Sequence, residues 1–286
     1  MSTSYGITIV KASGERDVFS ESKLRDSLKR SGAGDKAIDR VVAAILDELY
    51  EGMPTRKIYR KAYQLLRKES HLSATRYNLK QAVMDLGPSG YPFEALIGRL
   101  LEKMGYRVQV ALMMQGKCVG HEVDVLAEKN NERFIIECKF HNRPGVKSDV
   151  RVGLYFHSRF HDLKNAYNDN GDHSFHQGWI VTNTKFTSDA IRYAECTGMH
   201  LMGWDHPRGS SLVERLENAR LYPLTLLHSL GKKEKKLLID NNLILAEEIF
   251  ENTRLLASIG LDEPKIRKVI KECKTLHEQG NSRTVE

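Results

Sequence analysis

The sequence predicts an α/β protein of several domains, and three observations support this prediction. Residues 7–19 alternate between apolar and polar side chains around Ser13-Gly14, which is typical of a β-hairpin, and helical spacings follow it. Predicted strands and helices then interleave up to about residue 206, as in an α/β domain with a mixed sheet. Leu-rich helical segments fill the remainder. We therefore expect domains at residues 1–88, 89–208 and 209–286.

Composition and charge point to a partner that carries negative charge. The 286 residues hold 44 Lys or Arg and 37 Asp or Glu, a net charge of +7, and residues 1–90 contribute five of these charges (16 basic minus 11 acidic). The four cysteines stand singly, without the spacing of a zinc site or a disulfide framework. The N-terminus lacks a signal-peptide pattern, and no apolar run approaches the ~20 residues of a membrane span. We therefore expect a cytoplasmic protein.

The first section combines the hairpin with four helices. Apolar residues at helical spacing predict these helices at residues 20–31, 36–50, 56–69 and 73–86. Ser20 precedes the first helix and can cap its N-terminus. The segment Gly87-Pro88-Ser89-Gly90 breaks the helical pattern and marks the first domain boundary.

The central section begins with an amphipathic helix at residues 93–104. Strands are predicted at residues 106–113, 119–128, 133–140, 178–182 and 200–204, and helices at residues 149–168 and 187–197. Asn130-Asn131 is typical of a tight turn, so the second and third strands should form a hairpin.

The last section carries predicted helices at residues 212–218, 224–229, 232–241, 243–259 and 264–276. Three interpretations fit their Leu-rich faces and the lysines at residues 232–236. The helices could pack on the central domain, contact DNA phosphates as helix–hairpin–helix pairs do, or form a dimer surface.

Two neighbouring strands of the central section carry a carboxylate–lysine set. Side chains alternate between the faces of a strand, so Glu137 and Lys139 share one face, and the Asn-Asn turn brings Asp124 beside them. The same alternation predicts that Val123 and Val125 face the core together. Charged outer faces of two surface strands would produce the same pattern, so the pattern alone leaves both interpretations open.

The chemistry of the set favours a metal site. Asp124 and Glu137 would repel each other if they were buried side by side, and a divalent cation removes that conflict. Mg²⁺ prefers oxygen ligands, so these two carboxylates and the backbone carbonyl of Cys138 would form a typical site. Such a metal lowers the pKa of a bound water and offsets charge on a phosphate, while Lys139 would position the water or stabilise the transition state.

The surrounding residues resemble the Mrr-like branch of the PD-(D/E)xK nucleases over roughly residues 91–206. The resemblance rests on Phe93-Glu94, Met104-Gly105-Tyr106, Gly120-His121-Glu122-Val123-Asp124-Val125, Glu137-Cys138-Lys139 and Val181-Thr182-Asn183-Thr184-Lys185-Phe186-Thr187. It implies that Asp124 and Glu137 bind Mg²⁺, that Lys139 is catalytic and that Glu94 assists the metal. This branch usually has Gln-x-Lys where the present chain has Glu-x-Lys, which restores a second metal carboxylate.

Other polar residues of the central section have weaker assignments. His121 and His141 flank the predicted site in the sequence, and ordinary surface polarity is the favoured interpretation of both. Arg151, Tyr155 and Arg159 recur every four residues on a predicted helix, so we expect them to form a phosphate-contacting face.

The N-terminal section resembles the ATP-cone, a nucleotide-sensing domain, over about residues 7–87. The resemblance rests on Val10-Lys11-Ala12-Ser13-Gly14, Phe19, Lys23-Leu24 and Ser27. The sequence contains no glycine-rich phosphate loop. Lysine and arginine side chains, together with the start of the helix at Thr55, would therefore have to bind the phosphates. The resemblance places the contacts to ATP or dATP on Val10, Lys11, Ser20, Lys23 and Thr55, with Arg76 or Lys80 as an addition.

These observations favour a Mg²⁺-dependent DNA endonuclease that ATP or dATP regulates as an effector. The ATP-cone resemblance implies a homodimer. The alternative is a non-catalytic, nucleotide-responsive DNA-binding or regulatory protein. A reductase is a poor interpretation, because the chain is short and lacks paired cysteines for radical chemistry.

Overall fold

The computed structural model describes residues 6–169 and 175–278, so the predicted C-terminal section is covered up to residue 278. The N-terminal unit follows the predicted order of a hairpin and helices. Its elements are β1 (Thr8–Val10), β2 (Arg16–Val18), α1 (Glu21–Arg30), α2 (Asp35–Asp47), β3 (Met53–Pro54), α3 (Thr55–Glu69), α4 (His71–Tyr77) and α5 (Leu79–Met84). The central elements are α6 (Tyr91–Lys103), β4 (Arg107–Gln115), β5 (Gly120–Lys129), β6 (Glu132–Lys139), β7 (Lys147–Ser148), α7 (Val150–Asp169), β8 (Phe175–Thr182), β9 (Lys185–Phe186), α8 (Ser188–Thr197) and β10 (His200–Met202). The C-terminal helices are α9 (Leu212–Asn218), α10 (Lys232–Asp240), α11 (Thr253–Ser258) and α12 (Glu263–Glu278), with 3-10 turns at Leu224–Leu226 and Glu247–Ile249.

A mixed five-stranded sheet forms the centre of the molecule, with the strand order β10-β8-β6-β5-β4. The two hairpin pairs β4–β5 and β5–β6 are antiparallel, and β8 lies parallel to both β6 and β10. Asn130 and Asn131 have φ angles of 52° and 63°, as a tight hairpin turn requires, so the predicted β5–β6 turn is confirmed. Strand β6 therefore lies in the middle of the sheet, where its neighbours fix it on both sides.

Different helices cover the two faces of this sheet. Helices α7 and α8 pack on one face around Phe156, Phe160 and Ala190. Helix α6 and the C-terminal helices pack on the other, where one continuous hydrophobic cluster runs from Leu79 to Leu276. The C-terminal helices thus bury their leucines against the central domain, which is the first of the three interpretations offered for them.

The N-terminal unit has a core of its own. Its buried apolar residues run from Phe19 to Ala74 and form a separate cluster beneath the small sheet β2-β1-β3. Helix α5 does not join that cluster, because Leu79, Ala82 and Val83 pack with the central domain. The change of core therefore falls at about Asn78, ten residues before the boundary that the Gly-Pro segment suggested.

Three helix predictions were wrong. The helix expected at residues 224–229 is only a 3-10 turn at Leu224–Leu226. The helix expected at residues 73–86 is divided at Asn78 into α4 and α5. Ser70 caps α4 by accepting a hydrogen bond from the Ser73 N–H at 3.2 Å. The helix expected at residues 243–259 is replaced by an extended stretch, a 3-10 turn and the short α11. The strand β3 was not predicted.

Within the two described segments, no helix is long and apolar enough to cross a membrane.

Candidate active site

The side chains of strand β5 change faces of the sheet at Asp124. Val123 packs in the cluster beneath α7, whereas Val125 packs in the large cluster on the opposite face, so the prediction that they share a face was wrong. On the partner strand the pairs are Val110 with Val125 and Leu112 with Val123, which leaves Ala111, with a φ of 54°, opposite Asp124. A residue in this conformation rotates the chain that follows it, and such irregularities are common beside active sites.

The Asp124 side chain forms a hydrogen bond with the neighbouring strand β6. Its Oδ2 accepts a hydrogen bond from the backbone N–H of Cys138 at 2.7 Å. The regular pairing of the two strands ends one step earlier, at Val125 and Ile136, so the carboxylate replaces the next rung of the ladder. Asp124 and the Glu137–Lys139 segment therefore meet as predicted, but through this hydrogen bond rather than through simple alternation.

Strand β6 places Glu137 and Lys139 on the α7 side. Phe134, Ile136 and Cys138 all lie in the large hydrophobic cluster, which confirms the predicted alternation of this strand. Glu137 accepts a hydrogen bond from Nη1 of Arg159 on α7 at 2.7 Å. Lys139 is exposed at the end of the strand.

Arg159 belongs to this centre and does not form the predicted phosphate-contacting face. Its side chain is only 14 % exposed, donates from Nη1 to the Glu122 carbonyl at 3.1 Å and lies 4.9 Å from the centre of the Tyr155 ring. Arg151 is exposed and pairs with Asp149 instead. The sequence contained the periodic spacing of these residues but no indication that Arg159 would face a carboxylate.

Three acidic groups at the centre are held close enough to perturb one another. Burial, followed by the charges of Asp124, Glu122 and Glu137, raises the pKa of Glu94 to about 7. Burial also raises the pKa of Asp124, against the lowering effects of the Cys138 N–H and of Arg159. The pKa of Glu137 is raised by burial and by Asp124, while Arg159 and Lys139 lower it. The site thus concentrates negative charge that a cation would relieve.

The donor set suits a hard divalent cation. Two carboxylates on adjacent strands and the Cys138 carbonyl supply oxygen atoms of the kind that Mg²⁺ prefers. Within residues 6–169 and 175–278, no group of three or more His, Cys, Asp or Glu side chains is arranged to hold a metal. A metal here would therefore rely on Asp124, Glu137 and backbone or water oxygens, with Glu94 beside the ligand set.

The Val-Thr-Asn-Thr segment after β8 holds the end of β6. Thr182 donates from Oγ1 to the Lys139 carbonyl at 2.8 Å. Asn183 donates to the His141 carbonyl and accepts from the His141 N–H, both at 2.8 Å, and is fully buried. His141 also lies 2.9 Å from the Ser148 hydroxyl, while burial and Lys139 lower its pKa. These contacts place the backbone that follows Lys139 rather than supplying reacting groups.

His121 has a structural partner away from the carboxylates. Its Nε2 lies 2.8 Å from Oδ2 of Asp162 on α7. Asp162 also accepts hydrogen bonds from the N–H groups of Cys118 and Val119, at 2.8 and 3.3 Å. The hydrogen bond with His121 lowers the pKa of Asp162 to about 2. This cluster fastens the β4–β5 turn to α7.

The residues predicted to bind nucleotide lie together, apart from Val10. Lys11, Ser20, Lys23 and Thr55 line a cleft between the N-terminal unit and the rest of the chain. Val10 pairs within the small sheet, and its neighbour Ile9 lines the cleft instead. Ser20 caps α1 as predicted, accepting from the Lys23 N–H at 3.3 Å. Lys11 forms an ion pair with Asp17 at 2.9 Å.

Comparison with known proteins identifies the central domain. Residues 87–206 match the family model described as restriction endonuclease, and residues 222–277 match the model described as AF1548-like, C-terminal. An uncharacterized protein of Archaeoglobus fulgidus is 38 % identical over 179 residues, which cover 62 % of this chain and 98 % of the relative. The chain belongs to the same family as this protein. Its central domain is a nuclease domain of the restriction-endonuclease type.

A solved structure of this family supports the fold. The crystal structure of the protein of unknown function AF1548 is 36 % identical, has a TM-score of 0.56 and is aligned over 66 % of this chain and 98 % of its own. The family matches begin at residue 87, so the ATP-cone interpretation of the N-terminal unit stays a prediction.

Proposed function

We propose that this protein is a Mg²⁺-dependent DNA endonuclease whose activity responds to ATP or dATP. The observation that carries the proposal is the group of three perturbed carboxylates, Glu94, Asp124 and Glu137, at the strand end that also carries Lys139. A surface pattern of solvated charges would not raise the pKa of all three carboxyls. The restriction-endonuclease match of residues 87–206 supports the reaction class.

Asp124, Glu137 and the Cys138 carbonyl would hold the metal. When bound, it would supply an acidified water and a counter-charge for the phosphate. Lys139 is exposed where β6 ends, and in this proposal its ammonium orients the attacking water or stabilises charge that develops on the phosphate. Glu94, with a pKa of about 7, can accept a proton near neutral pH.

The test is plasmid cleavage by the full chain with and without MgCl₂. Asp124→Asn and Lys139→Ala should each lower the cleavage rate by at least about a hundredfold, in keeping with the loss of a charge-stabilising group. Thermal unfolding checks that both variants fold. Cleavage at the wild-type rate by Asp124→Asn would overturn the site assignment. Mg²⁺ and DNA binding without any cleavage by the wild type would favour a non-catalytic DNA-binding protein.

Nucleotide regulation is the second part of the proposal. Lys11, Ser20, Lys23 and Thr55 line one cleft, and lysine side chains together with the first residue of α3 suit phosphate groups. Isothermal calorimetry with ATP and dATP tests binding, and cleavage assays at saturating nucleotide test the response. Lys11→Ala should weaken nucleotide binding roughly tenfold because it removes a charge-assisted contact.

We also propose that the protein acts as a homodimer, since two copies of one site could cut both strands of a duplex. Sedimentation with and without nucleotide tests this expectation. A monomer under both conditions would contradict it.

A further inference from the structure

The cleft that holds the predicted nucleotide residues has a second wall, formed by the nuclease side of the molecule. Its volume is about 1410 Å³. Besides residues of the N-terminal unit it is lined by Lys80, by Trp204 and Asp205 just after β10, and by Arg208. The described lining contains nine Lys or Arg and five Asp or Glu, a surplus of four positive charges. A surplus of this kind suits a ligand with several phosphate groups.

Lys80 is a partly buried cation on this wall. It stands at the start of α5, which packs with the nuclease core. Among the described residues it has neither a hydrogen bond nor an ion pair, and its Nζ lies 5.5 Å from the centre of the Trp204 ring. The nearby carboxylate of Asp205 is engaged by Lys185. Burial lowers the pKa of Lys80, so a bound anion would stabilise its charged form.

Trp204 supplies a surface of a different kind. Its indole is partly buried, and its backbone N–H donates to the Thr184 carbonyl at 2.7 Å, which fixes its position. A fixed aromatic ring beside a cation can stack on a flat base while the cation meets a phosphate.

We propose that a nucleoside triphosphate binds between the two units and that Lys80 and Trp204 complete its site from the nuclease side. Lys11 and Lys23 contact the same ligand from the hairpin side. This inference rests on the proposed nucleotide regulation and adds to it, because the ligand would bridge the sensing unit and the nuclease domain.

Hydrogen bonds and packing contacts connect both walls of the cleft to Lys139 and the chain that follows it. On one side, Trp204 is bonded to Thr184, and Thr182 of the same segment donates to the Lys139 carbonyl. On the other, the hairpin turn that follows Lys11 packs against Gly145, where an added Cβ would lie 2.5 Å from the Ser13 nitrogen. A ligand that holds the two walls together would therefore bias the position of the catalytic strand end.

Calorimetric titration of the full chain with ATP, and separately with inorganic triphosphate, tests the two-sided site. Lys80→Met should weaken ATP binding about tenfold or more, and Lys80→Arg should retain most of it. Trp204→Leu should weaken ATP binding but leave triphosphate binding within about twofold. Lys233→Met, an exposed lysine on α10 outside the cleft, is the matched control and should bind like the wild type.

Intrinsic fluorescence gives a second readout. The chain has two tryptophans, and Trp179 is buried in the core, so a base that stacks in the cleft should change the emission of Trp204 alone. Trp204→Phe should abolish that change.

The outcomes separate the two proposals. No ATP binding by the wild type would overturn nucleotide regulation and the two-sided site together. ATP binding that Lys11→Ala weakens, but that Lys80→Met and Trp204→Leu leave unchanged, would retain nucleotide regulation and overturn the contribution of the nuclease side.

Discussion

The carboxyl of Glu94 should oppose folding at neutral pH, and removing its charge should stabilise the metal-free protein. Its pKa rises from an ordinary value of 4.5 to about 7 in the fold, chiefly through burial. At 1.36 kcal/mol per pKa unit, the upper bound on the cost of the charge is about 3.4 kcal/mol. The side chain is only half-buried, so solvent screening reduces this to about 1.5 kcal/mol.

The sign of the effect fixes its pH range. The folded state holds the proton more tightly than the unfolded state, so the penalty is absent below about pH 4.5 and complete above pH 7. Glu94→Gln should therefore melt close to the wild type at pH 4.5 and about 3–6 °C above it at pH 8 in EDTA. A burial penalty at Glu94 would be refuted if the melting temperature of the variant did not rise at pH 8, or rose as much at pH 4.5.

The same melting experiment has two useful comparisons. Glu102→Gln replaces an exposed glutamate near the other end of α6, and it should change the melting temperature little at either pH. Added MgCl₂ should stabilise the wild type and narrow its difference from Glu94→Gln, because a bound cation offsets the repulsion among the carboxylates.

Two further predictions concern the supports of the site. Asn183→Leu removes both hydrogen bonds to the His141 backbone and leaves that partly buried backbone unpaired, so urea unfolding should show a loss of about 2–4 kcal/mol. Undiminished stability would contradict this role. Asp162→Asn should lower the melting temperature at neutral pH, because the pKa of Asp162 lies at about 2 in the fold and its stabilisation is present above pH 3.8. The difference from the wild type should shrink as the pH falls through 2, and a constant difference would refute the assignment.

Local signals predicted the hairpins and the capped helices well. Asn130-Asn131 supports positive φ at both turn positions, and Ser20 satisfies a free N–H at the start of α1, so short stretches of sequence were sufficient there. The alternation of β6 was also recovered, because its apolar residues face one continuous core.

Alternation failed where the backbone itself changes direction. Val108 and Val110 pack against the large cluster, whereas Leu112 and Met114 belong to the cluster beneath α7. All four have even numbers, so a regular strand would place them on one face. The reversal occurs at Ala111, whose residue type gives no indication of a positive φ. The position of Asp124 depends on that reversal.

The helix prediction at residues 243–259 was wrong because this segment forms backbone hydrogen bonds with a distant part of the chain. The segment is rich in apolar residues, but the Leu224 N–H donates to the Ile244 carbonyl and the Ala246 N–H to the Tyr222 carbonyl, both at 2.8 Å. These bonds hold the segment extended against a part of the chain about twenty residues earlier. A local pattern contains no information about such a partner, and tertiary contacts outweigh helix propensity.

Arg159 offsets part of the negative charge at the proposed cation site. Three carboxylates at one strand end would repel each other strongly, and the guanidinium bonded to Glu137 supplies positive charge without a metal. Arg159 compensates only part of this negative charge. Its charge lowers the pKa of Glu137 and Asp124, but burial still keeps both pKa values raised. A divalent ion would therefore add to this arginine rather than replace it. It would offset the burial cost and the repulsion that together raise the pKa of Glu94.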